Sequence, residues 1–115
     1  MLEALQTSSY ALRFIELSLV DDSAQGVLNR DFLGVPGPTN ILSFPDGETG
    51  SLSLDVFAYL REALLYGQEP RVYLIRLLAH GVAHLCGLDH GEEMERLCYI
   101  LEKAASEKSL TGGRR

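Results

Sequence analysis

His80-Gly81-Val82-Ala83-His84-Leu85-Cys86-Gly87-Leu88-Asp89-His90 contains all three histidines of the chain. The first two are four residues apart, so on a helix they project from one face, one turn apart. Two imidazoles so placed can share a metal ion. Gly87 can adopt the left-handed conformation that ends a helix and turns the chain back. Such a reversal would bring His90 to the same ion. Three protein ligands leave a fourth tetrahedral position for water, the layout of a catalytic zinc rather than a closed structural one. His80, His84 and His90 are therefore the expected ligands of one Zn2+ per chain. Nickel, copper or iron could also occupy three imidazoles in vitro.

Outward from this stretch, the apolar spacing predicts the supporting elements. Leu74, Leu77 and Leu78 extend the His80–His84 helix back to Pro70, which suits a first turn. Val56, Tyr59, Leu60, Ala63 and Leu64 predict a helix from about Asp55 to Tyr66, stopped by Gly67. A last helix runs from about Glu92 to Lys108, with Glu92, Glu93 and Glu95 in its first turn. Tyr10 to Val20 alternates imperfectly and reads as a strand. Asp21-Asp22-Ser23 then caps a short helix reaching about Phe32. Val35-Pro36-Gly37-Pro38 and Pro45-Asp46-Gly47 read as turns, and Ile41 to Phe44 and Ser51 to Val56 as strands. The mixture defines an α+β (α/β mixed) domain.

The 115 residues suit one domain, expected over residues 1–110 with a disordered tail at 111–115. No apolar run approaches the ~20 residues of a membrane span, and the first residues lack a signal-peptide pattern. A cytoplasmic location is expected. Cys86 and Cys98 lack the paired spacing of a thiolate zinc site and read as small core residues. A net charge of −6 argues against tight non-specific nucleic-acid binding. It does not exclude an RNA-cleaving enzyme whose metal supplies local positive charge. Arg13, Arg30, Arg61, Arg71 and Arg76 are candidates for a local basic patch.

The spacing H-x-x-x-H-x-x-G-x-x-H also occurs in metzincin proteases, which carry a glutamate general base directly after the first histidine. Gly81 stands there in this chain, which argues against proteolysis. The run His80-Gly81-x-x-His84-Leu85-x-Gly87-x-Asp89-His90 resembles instead the YbeY signature H-G-x-x-H-L-x-G-Y-D-H, with Leu88 in the tyrosine position. Pro38-Thr39-Asn40-Ile41-Leu42-Ser43-Phe44-Pro45 is similar to that family's P-T-D-V-L-S-F-P segment, and Leu28-Asn29 to its L-N pair. The resemblance covers roughly Val20 to Glu102.

It implies a short mixed sheet of about four strands flanked by helices, with a metzincin-like zinc helix across one face. It implies a zinc-dependent, single-strand-specific endoribonuclease acting in 16S rRNA maturation and ribosome quality control. The implied partners are RNA (the 16S rRNA precursor on the small ribosomal subunit) and a ribosomal protein or GTPase, with no membrane. His80, His84 and His90 carry over as ligands. Thr39, Asn40 and Ser43 become candidates to line a substrate groove beside the metal, against the plainer reading of ordinary polar residues on an edge strand. Asp89 reads equally as a catalytic carboxylate or partner of a ligand histidine, and as a turn residue.

The chain departs from the family in several places. Leu33 stands where the family has an arginine, and leucine can neither hold a phosphate nor stabilise transition-state charge. Asn40 replaces an aspartate. Gly50-Ser51-Leu52 matches the family's L-G-D-I strand without its carboxylate, and the stretch from Asp46 to Asp55 is short. These departures support a second expectation, a catalytically weak or inactive ribosome-associated binding protein whose zinc mainly supports the fold.

Overall fold

The computed structural model describes residues 12–33, 39–88 and 91–112. Strand β1 (Phe14–Val20) leads into helix α1 (Asp22–Leu28), which continues as a π-helical turn over Asn29–Leu33. Strands β2 (Ile41–Asp46) and β3 (Thr49–Asp55) follow, then α2 (Val56–Leu65), α3 (Pro70–Leu85) and α4 (Glu92–Gly112). The sheet order is β1-β3-β2, with β1 parallel and β2 antiparallel to β3. The fold is thus a small α+β domain with a mixed sheet. Three strands stand among the described residues, where about four were expected.

Pro45 and Asp46 lie inside β2 rather than in a turn. The outer side of β2 has no strand partner among the described residues, so a proline that cannot donate is tolerated there. The turn itself is Gly47-Glu48, with Gly47 at φ 63° and Glu48 at an ordinary negative φ, the sign pattern of a type II′ hairpin. The backbone of α4 continues to Gly112, two residues into the expected tail. No helix among the described residues is long and apolar enough to cross a membrane.

Alternation along β3 determines what covers each face of the sheet. Leu52 and Leu54 are buried toward α3. Leu52 joins Leu12, Ala79, Val82, Ala83, Leu85, Met94, Leu97, Cys98 and Leu101 in the main core, which lies between the sheet, α3 and α4. Ser53 points the other way and meets α1. The buried Gln25 Nε2 donates to the Ser53 carbonyl at 2.8 Å, and the Ser53 hydroxyl donates to Gln25 Oε1 at 2.7 Å. Both polar groups are thereby satisfied out of water.

Asp55 ends β3 and caps α2, its Oδ1 accepting from Phe57 N and Ala58 N at 3.0 and 3.1 Å. Its Oδ2 is buried and has no partner as a carboxylate. Burial, then the neighbouring Asp22, pushes Asp55 above the usual carboxylate range. Arg61 donates to both Asp22 oxygens, at 2.9 and 3.0 Å. That bond foremost holds Asp22 down at about 2. Protonated Asp55 can therefore donate from Oδ2 to the Asp22 carboxylate. Folding raises the affinity of Asp55 for a proton, so its contribution to stability is best below the unfolded value of 3.8 and declines as pH rises through the higher folded value. Asp55→Asn keeps the cap acceptor and supplies a permanent donor. The expected result is a higher urea midpoint than wild type at pH 7, with the difference shrinking as pH falls toward 4. A variant less stable than wild type at pH 7 would contradict this assignment.

Candidate metal centre

Helix α3 carries the paired histidines, and its two ends explain its placement. Glu69 caps the start, its carboxylate accepting from Arg71 N and Val72 N, and Pro70 occupies the first position, where no amide donor is needed. At the other end Gly87, at φ 86°, forms a Schellman turn: Gly87 N donates to the His84 carbonyl at 2.9 Å and Leu88 N to the Ala83 carbonyl at 3.2 Å. The helix lies close on the sheet because residue 81 has no side chain. A Cβ there would stand 2.9 Å from Leu52 Cδ2 and 3.0 Å from Ile41 Cδ1. The position next to His80 therefore faces β-sheet leucine and isoleucine, which gives a packing reason for glycine there.

His80 and His84 are half-buried and both line a cleft of about 520 Å³ between α3 and β2, together with Leu77, Asn40, Ile41, Leu42, Ser43 and Pro45. The Schellman turn returns the Leu88 carbonyl to within 3.0 Å of His84 Nδ1. A carbonyl only accepts, so Nδ1 carries the hydrogen and the neutral ring holds its lone pair at Nε2. That is the tautomer that presents Nε2 to a metal, set by a backbone group. Two imidazoles one helical turn apart beside an open cleft are a donor set that suits zinc.

Asp89 and His90, the third expected ligand, lie outside the described residues. Among the described residues no group of three His, Cys, Asp or Glu side chains comes together. Of the expected groove residues, Asn40 and Ser43 line the cleft, whereas half-buried Thr39 is not among its lining residues. The Ser43 hydroxyl donates to the Gly81 carbonyl at 3.1 Å, pinning β2 to the helix that carries the histidines. The arginines considered for a basic patch are spread over the fold, with only Arg71 and Arg76 sharing an element, α3. Arg13 pairs with Glu48, Arg30 with Asp31, Arg61 with Asp22 and Arg76 with Glu102, and none of the five lines the cleft.

Asn40 belongs to a polar network that sequence reasoning missed. Its Nδ2 donates to Glu62 Oε1 at 2.9 Å, and the Tyr73 hydroxyl donates to the same oxygen at 2.7 Å. Burial, with the Glu62 carboxylate second, pushes Tyr73 up to about 12, so it stays a donor. An aspartate at position 40 would set carboxylate against carboxylate, so the asparagine matches Glu62. Glu62 lies 22 residues from Asn40 in sequence, and no local pattern joins them.

A small α+β domain with paired histidines on a helix beside an open cleft has the arrangement of a hydrolase-like fold with a candidate metal site. Residues 1–105 match the family described as Endoribonuclease YbeY. Endoribonuclease YbeY of Oleidesulfovibrio alaskensis is 38% identical over 122 aligned positions, covering 83% of this chain and 72% of that protein. The Nitratidesulfovibrio vulgaris protein of the same name is 41% identical, covering 84% and 72%. The solution structure of TM1509 from Thermotoga maritima shares the fold, with a TM-score of 0.61 at 24% identity, over 84% of this chain and 71% of that one. The chain belongs to the YbeY endoribonuclease family.

Proposed function

We propose that this member of the family is a zinc-dependent endoribonuclease that cuts single-stranded RNA, with the 16S rRNA precursor on the small ribosomal subunit as substrate. A cytoplasmic location and a ribosomal protein or GTPase as partner accompany this reading. The observation that carries it is the His80–His84 pair at the cleft, with the His84 tautomer set by the Leu88 carbonyl.

His80 and His84, with His90, would hold the zinc. The ion supplies concentrated positive charge beside a phosphodiester and makes a water more acidic. The rest of the site positions the substrate. Asn40, held by Glu62, keeps its amide oxygen for a substrate donor, since its nitrogen is committed to the carboxylate. Ile41, Leu42, Pro45 and Leu77 give the cleft apolar walls that take up base or ribose surface and limit water. Single-stranded RNA can splay its bases into such a cleft, whereas an A-form duplex keeps them stacked.

Leu33 supports a second reading, a ribosome-associated binding protein with weak or no cleavage, whose zinc mainly supports the fold. One experiment separates the two. Labelled single-stranded and duplex RNA of one sequence are incubated with the zinc-loaded protein, the chelated protein and the protein after zinc is restored. The nuclease reading expects cleavage of the single strand alone, lost on chelation and regained with zinc. Zinc-dependent melting with no cleavage of either RNA would favour the binding protein.

A further inference from the structure

Tyr73, Leu77, His80 and His84 recur at alternating helical spacings of four and three, so they form one stripe along α3. The last three line the cleft. Tyr73 continues the same line about 10 Å before His80 at the helical rise. At that end of the cleft stands Asn40, beside the Glu62 carboxylate of α2.

The Tyr73 ring is held from two sides. Tyr59 stacks on it with centroids 6.3 Å apart and planes at 10°, and Tyr66 meets it edge-on at 6.3 Å. Tyr59 is tied in turn through its hydroxyl to the Pro70 carbonyl at 2.7 Å. The Tyr73 hydroxyl thus reaches a fixed point, Glu62 Oε1, which Asn40 Nδ2 also meets. The Asn40 amide lies against the Tyr73 hydroxyl oxygen as well. Its nitrogen belongs to this network, so its Oδ1 is the part left for a molecule in the cleft. Turning the amide over would set oxygen against carboxylate. Ser43, the other polar side chain of the β2 wall, directs its hydrogen to the Gly81 carbonyl and is left as an acceptor.

We propose that Glu62 and Tyr73 position Asn40 so that the cleft selects a nucleotide whose base carries an exocyclic amine, cytosine or adenine over uracil. This selection presupposes RNA as the substrate, as proposed above. Cytosine and uracil are the same size and differ at one edge position, where cytosine N4 donates and uracil O4 accepts. Asn40 Oδ1 accepts from N4 and repels O4. A carboxylate bonded to the amide nitrogen polarises the amide and makes its oxygen the stronger acceptor. One such hydrogen bond corresponds to a preference of about three- to tenfold.

The test sets an oligocytidylate against an oligouridylate of equal length, in competition for the zinc-loaded full chain. The wild type is expected to cut the cytidylate about three- to tenfold faster. In a uridine run with a single cytidine, the cuts are expected at a fixed offset that moves with the cytidine. Asn40→Ala is expected to treat the two RNAs alike. Glu62→Gln still offers an acceptor to Asn40 and Tyr73 and retains the preference in weaker form. Glu62→Lys offers a donor instead, turns the amide over and shifts the preference to uridylate. A purely structural role for Glu62 would lower activity on both RNAs and leave their ratio unchanged. If neither RNA is cut, the nuclease reading fails, and the ratio of their dissociation constants by fluorescence anisotropy tests the selection alone. Equal use or equal binding of the two RNAs by the wild type overturns the proposal. A cytidylate preference that survives Asn40→Ala or a folded Glu62→Lys overturns it as well. Should Glu62→Lys fail to fold by circular dichroism, the wild type and Asn40→Ala still decide.

Discussion

Purified His84→Ala is expected to retain no stoichiometric zinc and to cleave single-stranded RNA at least about 100-fold more slowly than wild type. The size of the effect follows from what His84 does. It lines the cleft one helical turn from His80, and its Nδ1 donates to the Leu88 carbonyl so that Nε2 would be the ligating atom. Alanine removes a donor from the set and leaves that carbonyl to water. The helix should survive, since alanine is the best helix former and His84 is only half-buried. A melting curve close to that of chelated wild type would separate loss of metal from loss of fold. Zinc content measured by atomic emission and a cleavage time course read the two effects independently. Full zinc occupancy with unchanged cleavage would remove His84 from the site.

Gly81→Glu, which restores the carboxylate that proteases carry at this position, is expected to destabilise the domain by about 3–5 kcal/mol and to yield little folded protein. The first added carbon already meets Leu52 Cδ2 at 2.9 Å and Ile41 Cδ1 at 3.0 Å. The remaining atoms would place a charge between an apolar strand and the helix. Gly81→Ala tests the steric part alone. It gains about 1 kcal/mol of helix propensity and loses about 1–3 kcal/mol to overpacking. A net cost of about 0–2 kcal/mol in urea unfolding is therefore expected for alanine. A glutamate variant as stable as wild type at pH 7 would mean that residue 81 does not face the sheet.

The helices and their ends were legible because periodicity and punctuation agree. The apolar spacing from Val56 to Leu64 together with Gly67 predicted α2 within a residue at either end, and Pro70 and Gly87 bracketed α3. Pro45 misled because its local preference for turns says nothing about whether its strand lies at an edge. The π-helical turn at Asn29–Leu33 left no mark in a reading that expected one continuous helix.

In the candidate site the histidine pair was legible from spacing alone. The orienting partner of His84 was not. That partner is the Leu88 carbonyl, a backbone atom every residue has, while Asp89 lies outside the described residues. Asn40 read as a bare departure from the family until Glu62 stood beside it.

If the proposed zinc is bound, the turn that ends α3 would give its exchange a local clock. The Gly87 and Leu88 amides hold the last helical turn, and the Leu88 carbonyl holds the His84 ring. Fraying of those few bonds frees the imidazole to rotate without disturbing the core around Leu101. Release of the ion would then follow the opening rate of a helix end rather than unfolding of the whole domain. Changes at Gly87, which donates nothing to the metal, would alter residence time while leaving the melting temperature largely to the core.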